Sequence, residues 1–377
     1  VRLAALALIS AVGALGTTTI GVTDSNWYFS PYTTYSDGAG TPAANNVRAS
    51  STYVLWNNPG GYFKTKFNGT QAVLNIVNGL PNDNTKMPAV KWSVDGGAWQ
   101  SQQLTFGQTT ILLASSLTNT SHSLYFVLME TECCAYDRWL GSSAFNVLKI
   151  TGLTVDTGQT LSGYGIAAKN CIFYGDSITE AAWSLFPPSS GVGNSLGGDA
   201  ETSYVRVVAT ALGCEYGQVA FGGQSWDSTL ASNVPYFPQS WNLYYSGRSR
   251  LVSGKLSPSP DYLFVNIGTN GEAPTATAQA WLSAVRAALN TTTPVYVIVP
   301  FNQTGKVNLS AAVTGSGDAY VRLADLGAAV VGTYATTDGL HPSVAGHALL
   351  GSLLENVVTG GAGARVKGAI RGAGTIR

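Results

Sequence analysis

Hydrophobic and polar positions follow two different rhythms along this chain, and the change between them comes near residue 160. From about Thr17 to Asp156 the runs are short, alternate with period two and are broken by turn residues. Phe63 and Phe67 alternate with Lys64 and Lys66, and Ala72, Leu74 and Ile76 share one face. Further strands are expected at 89–94, 109–113, 124–129 and 145–155. Asp95-Gly96-Gly97 reads as a hairpin turn. So many strands at this spacing imply a β-sandwich of jelly-roll type over residues 17–157.

After a glycine-rich linker around Gly158 to Gly165, strand-like and helix-like runs alternate. Strands are expected at 171–174, 217–221, 262–267, 295–299 and 328–333, and helices at 203–212, 275–289, 318–326 and 343–358. Trp281, Val285 and Leu289 mark one apolar helix face. Such alternation predicts an α/β sandwich with a parallel sheet over residues 166–359.

Two terminal segments stand apart. Residues 1–16 hold Arg2 and an apolar stretch to Leu15, too short to span a bilayer. Two readings stay open: a secretory signal, or a packing helix that makes an oligomer or virion contact. Residues 360–377 are rich in glycine and carry Arg365, Lys367, Arg371 and Arg377 without an acid, as a flexible tail or an assembly contact would.

Composition narrows the function. The 377 residues include 20 basic and 20 acidic side chains, so there is no basic excess for a nucleic acid to meet. Abundant Gly, Ser, Thr, Asn and aromatics suit an exported protein that meets sugars. Four cysteines are too few for a disulfide scaffold. Cys171 and Cys214 are either buried thiols or a bridge between neighbouring strands, and the adjacent Cys133 and Cys134 are open in the same way. No His or Cys spacing suggests zinc.

The candidate chemistry begins at Gly175-Asp176-Ser177-Ile178, at the end of the apolar run from Cys171 to Tyr174. A serine nucleophile needs a base within hydrogen-bond reach, and the base needs an orienting partner. Only His122, His341 and His347 exist. Asp338 lies three residues before His341, and Pro342 behind it suits the first turn of a helix. His347 falls on the face of the helix that follows, and His122 in a polar turn. Two further strand ends, Val219 to Ser225 and Phe264 to Asn270, carry Gly222-Gly223 and Gly268-Thr269-Asn270, which suit donors to an oxyanion. In a parallel sheet these loops share one rim.

Ser177, Gly223, Asn270 and His341, in that order, resemble the SGNH (GDSL-type) hydrolase superfamily over about residues 168–358. Gly-Asp-Ser-Ile-Thr matches its first block, Gly-Thr-Asn its third and Asp-Gly-x-His-Pro its fifth. Gly271 stands where the third block commonly has Asp. In the weak second block Gly222 competes with Gly223, and Gly223 fits better because Ser225 follows it after one residue. The resemblance implies Ser177 as nucleophile, His341 as general base and acid, and Asp338 as its orienting group. It also implies an oxyanion hole of the Ser177 N–H, the Gly223 N–H and the Asn270 side-chain amide, with no metal or organic cofactor. Asp176 is expected to fix the turn.

A β-sandwich ahead of such a domain is similar to acetyl-xylan-esterase-like carbohydrate esterases. That similarity implies deacetylation of a polysaccharide outside the cell. The alternatives are a lipase or arylesterase of the same superfamily, and a glycan-binding or virion-structural protein that keeps the fold. The 182–202 stretch is expected to wall the site. At 233–250, Trp241, Tyr244 and Tyr245 are either sugar platforms or core.

Overall fold

The computed structural model describes residues 16–39, 47–78, 84–131, 137–140, 146–190, 194–227 and 233–360. The apolar N-terminal segment, the basic tail, Cys133 and Cys134 therefore lie outside the described residues.

Two antiparallel six-stranded sheets make the N-terminal part. In the first, Leu148–Asp156 is central, pairing with Val54–Trp56 and Thr17–Gly21 on one side and Ala72–Asn78 on the other. In the second, Thr120–Glu130 lies between Tyr62–Gly69 and Ala89–Val94. Their inner faces share one apolar core that includes Phe63, Phe67, Leu74, Ile76, Trp92 and Phe126. Alternation explains this: Phe63, Thr65 and Phe67 are buried, while Lys64 and Lys66 reach partly into solvent. The Asp95 turn joins Ala89–Val94 to Gln100–Gln103 as a hairpin, with Asp95 at φ 54° and Gly96 at φ 65°. Within the glycine-rich linker, Leu161–Ser162 adds a short edge strand to the second sheet.

The C-terminal part is built on five parallel strands, in spatial order Cys214–Ala220, Lys169–Gly175, Tyr262–Asn266, Val295–Ile298 and Val321–Ala324. Neighbouring residues face opposite layers. Ile172 and Tyr174 pack with Trp281, Val285 and Leu309 of helices Thr275–Ala288 and Lys306–Gly315. Cys171 and Phe173 pack with Tyr204, Val208, Leu350 and Leu354 of helices Tyr204–Leu212 and Val344–Thr359. Helices on both faces of a parallel sheet give the expected three layers. Cys171 and Cys214, on adjacent strands, form a disulfide.

One stretch differs from its expected form. Residues 318–326, expected as a helix, contain the edge strand Val321–Ala324, and 328–333, expected as a strand, holds only the short turn Ala328–Val330. The helix of this unit is Lys306–Gly315, which no apolar stripe announces. Only Leu309 and Ala312 on it are buried, and Val307 is 80% exposed.

The two parts share their cores. Tyr32 and Trp139 sit in the cluster under helix Thr275–Ala288, and Tyr62 and Val127 sit in the cluster of the opposite layer. Polar links cross the same boundary: Lys64 and the Tyr62 hydroxyl meet Glu215 at 2.8 and 2.6 Å, and Lys91 meets Asp199 at 2.6 Å.

Candidate active site

Strand Lys169–Gly175, between Cys214–Ala220 and Tyr262–Asn266, ends at Gly175, where a Cβ would run into the side chain of Thr179. Glycine thus lets the chain turn tightly into the one-turn helix Ser177–Glu180. Asp176 caps that helix, its Oδ1 accepting the Ile178 N–H at 3.1 Å. Burial dominates the Asp176 carboxyl and drives it up to about 7, against hydrogen bonds from Ile178 and Thr269 that act to lower it. The turn is held from below as well. Thr179 O accepts from Gln218 Nε2 at 2.7 Å and Ser203 Oγ at 3.0 Å, and the Thr179 hydroxyl pairs with Tyr204 at 2.8 Å.

His341 Nε2 lies 3.0 Å from Ser177 Oγ, and its Nδ1 lies 2.7 Å from Asp338 Oδ2. Asp338 Oδ1 also accepts the backbone N–H groups of His341 (2.8 Å) and Leu340 (3.0 Å), so one carboxylate shapes the turn and orients the ring. Gly339 between them has φ 89°. Pro342 stands outside the helix and bridges to Thr336; Ser343 is the cap, accepting the Gly346 N–H. Burial lowers the His341 pKa, and Asp338 pulls the other way. At Asp338, burial acts to raise the pKa but the hydrogen bonds from His341 and Leu340 outweigh it, so the carboxyl is held below its usual range.

The third predicted component is the donor set. Gly175 is in register with Ala220 on one side and Asn266 on the other, so three loops leave the sheet at one level. Gly223, not Gly222, takes a positive φ, 76°. Asn270 Nδ2 donates to Gln224 O at 3.2 Å and ties the third loop to the second. A carboxamide has two N–H donors, so one remains. Trp226 Nε1 reinforces the tie by donating to Ile267 O at 2.9 Å.

The remaining histidines lie elsewhere. His122, within strand Thr120–Glu130 rather than a turn, pairs with Asp95 at 2.7 Å, an interaction that raises its pKa. His347 is fully buried on its helix, where burial lowers its pKa to about 3. Trp241 and Tyr244 are core residues, 6% and 5% exposed.

Other contributors to the site come from irregular segments. Trp183, within the stretch expected to wall the site, stands edge-on to the His341 ring at 4.5 Å, its carbonyl accepting from Thr337 Oγ1 at 2.7 Å. Arg138 arrives from the sandwich side: its Nη1 meets Glu180 Oε1 at 2.6 Å with both side chains fully buried, and its guanidinium covers Phe221 at 5.2 Å. Asn58 Nδ2 donates to Ala220 O at 2.7 Å, just before the Gly222-Gly223 turn. A lone Arg or Asn in an irregular segment carries no pattern that marks it in advance.

No protein-family model matches the chain, and no curated protein is similar to it in sequence. Solved structures do share its fold across both parts. A family two carbohydrate esterase from Cellvibrio japonicus superposes with a TM-score of 0.73 at 15% identity, covering 92% of this chain and 98% of that one. The family two carbohydrate esterase from Clostridium thermocellum, in complex with cellohexaose, gives 0.68 at 18% identity, over 82% and 94%. An acetyl xylan esterase, Est2A, from the rumen bacterium Butyrivibrio proteoclasticus gives 0.67 at 13%, over 91% and 97%.

Proposed function

We propose that this chain is a serine esterase that removes O-acetyl groups from a polysaccharide through an acyl-enzyme on Ser177. The observation that carries the reading is the line from Asp338 through His341 to Ser177, with contacts of 2.7 and 3.0 Å. Ser177 Oγ attacks the ester carbonyl as its proton passes to His341 Nε2. The negative oxygen is met by the N–H groups of Ser177 and Gly223 and by Asn270 Nδ2, each such donor contributing about 3 to 4 kcal/mol. Collapse expels the sugar oxygen, which takes the proton from His341. Water, deprotonated by the same ring, then releases acetate and restores Ser177.

The substrate class draws on the shared fold with carbohydrate esterases, over both the sandwich and the α/β part. The Cys171–Cys214 disulfide supports a place outside the reducing cytoplasm. Acetate release from a panel of acetylated polysaccharides, run beside esters of short and long acyl chains, tests the reading. We expect release from at least one polysaccharide, abolished in Ser177→Ala and His341→Ala. Preference for long acyl chains rejects the polysaccharide, and undiminished turnover in Ser177→Ala rejects the mechanism.

A further inference from the structure

Apart from Ser177, a cleft of about 260 Å³ opens where the second sheet of the sandwich meets residues 201–206 of the α/β part. Trp99, Tyr125 and Tyr164 supply its aromatic surface, and Glu201 and Arg206 its charges. Trp99 follows the Asp95 turn and is 41% exposed, yet it is held in place. Its ring meets Tyr125 edge-on at 5.4 Å, and Lys91 Nζ lies 4.5 Å from its centre. Lys91 is in turn fixed by Asp199 at 2.6 Å. An exposed indole braced in this way loses little freedom when something binds against it.

The polar groups are also arranged for a ligand. Glu201 is engaged by the Tyr125 hydroxyl at 2.9 Å and by Arg206 Nε at 2.9 Å. That pairing, with the guanidinium 5.9 Å from the centre of the Tyr125 ring, aligns the group but leaves Nη1 and Nη2 without a hydrogen-bond partner among the described residues. Trp99 Nε1 and the Tyr164 hydroxyl are likewise unengaged there. The cleft thus combines apolar ring surface with hydrogen-bond donors, in a volume below that of a typical pocket for a drug-sized ligand.

We propose that this cleft is a second sugar-binding site that takes one pyranose unit of a polysaccharide. The C–H face of the ring rests against Trp99, and its oxygens accept from Arg206 and Tyr164. The identity of that polymer as the substrate rests on the esterase reading above; the chemistry of the cleft does not.

Native gels cast with acetylated glucuronoxylan or acetylated glucomannan, and with the deacetylated form of each, measure the binding. Ser177→Ala serves as the parent, so that nothing is consumed. We expect the parent to be retarded by at least one polymer. Adding Trp99→Ala is expected to weaken that binding at least fivefold, the loss typical of an anchoring aromatic. The single Trp99→Ala enzyme keeps its rate on p-nitrophenyl acetate within about twofold, which reports correct folding, while its KM for the retarding polymer rises. Equal retardation of parent and double variant on every polymer, or none of either, overturns the site. Retardation that depends on Trp99 without acetate release from any polymer upholds the site and rejects the polysaccharide esterase, so the two failures are separable.

Discussion

His341 is under two opposing influences, burial that favours its neutral form and Asp338 that favours its charged form, and burial prevails. In the proposed mechanism His341 must be neutral to accept the Ser177 proton, so kcat/KM should fall as pH drops through the His341 pKa. The midpoint of that acid limb is expected below the ordinary histidine value of 6.5; a midpoint above 7 in a pH–rate profile contradicts it. Asp338→Asn removes the influence that favours the cation and unsettles the tautomer. We expect a rate loss of about 10³- to 10⁴-fold, with the acid limb moved further down. Asp176 titrates with the opposite consequence. Its folded pKa, about 7, lies above the ordinary 3.8, so the unfolded chain loses its proton first as pH rises and folding loses about 1.4 kcal/mol per pH unit between those values. Asp176→Asn, which keeps an oxygen to cap Ile178, should therefore gain in melting temperature relative to wild type as pH rises from about 4 to 7; a constant difference across that range refutes it. Ser177, His341 and Asp338 were readable because the chain has only three histidines and one of them follows an aspartate in a turn. For Trp183 the sequence pointed only to the 182–202 stretch around it, and Arg138 was not readable, since its role arises only from where the fold carries it.

Elements were legible to the extent that their side chains face two different environments. Tyr62–Gly69 and Thr275–Ala288 each bury one face, and their patterns gave them away. Lys306–Gly315 lies on the surface with little buried, and Val321–Ala324 is four residues on the sheet edge, too short for a period to show. Between elements, the Arg138–Glu180 pair joins the sandwich to the short helix that carries Ser177. Losing one member of a buried pair leaves the other's charge poorly compensated, whereas losing both is mild. Arg138→Met is expected to lower stability by about 3 to 5 kcal/mol, and Arg138→Met/Glu180→Leu to recover most of it. Denaturant titration of the single and double variants decides this, and equal losses in both exclude the coupling.

For the whole molecule, the sandwich and the α/β part are joined by shared cores and buried charge pairs rather than by a linker alone. A fragment of residues 166–360 would expose Glu215 and Glu180 without their basic partners and open the apolar layer around Trp139. We expect that fragment to lack a cooperative thermal transition and to show no p-nitrophenyl acetate hydrolysis; an active, cooperatively melting fragment argues against the joint core. The alignment of Gly175 with Ala220 and Asn266 sets a further limit, on how such a chain can change its length. Deleting one residue inside any of these three strands moves its loop by about 3.3 Å and turns every later side chain to the opposite layer. Residues added beyond the strand ends disturb neither. Variation in chain length is thus free to accumulate in the rim that carries Ser177, Gly223 and Asn270, while the three strands beneath it are locked to a common count.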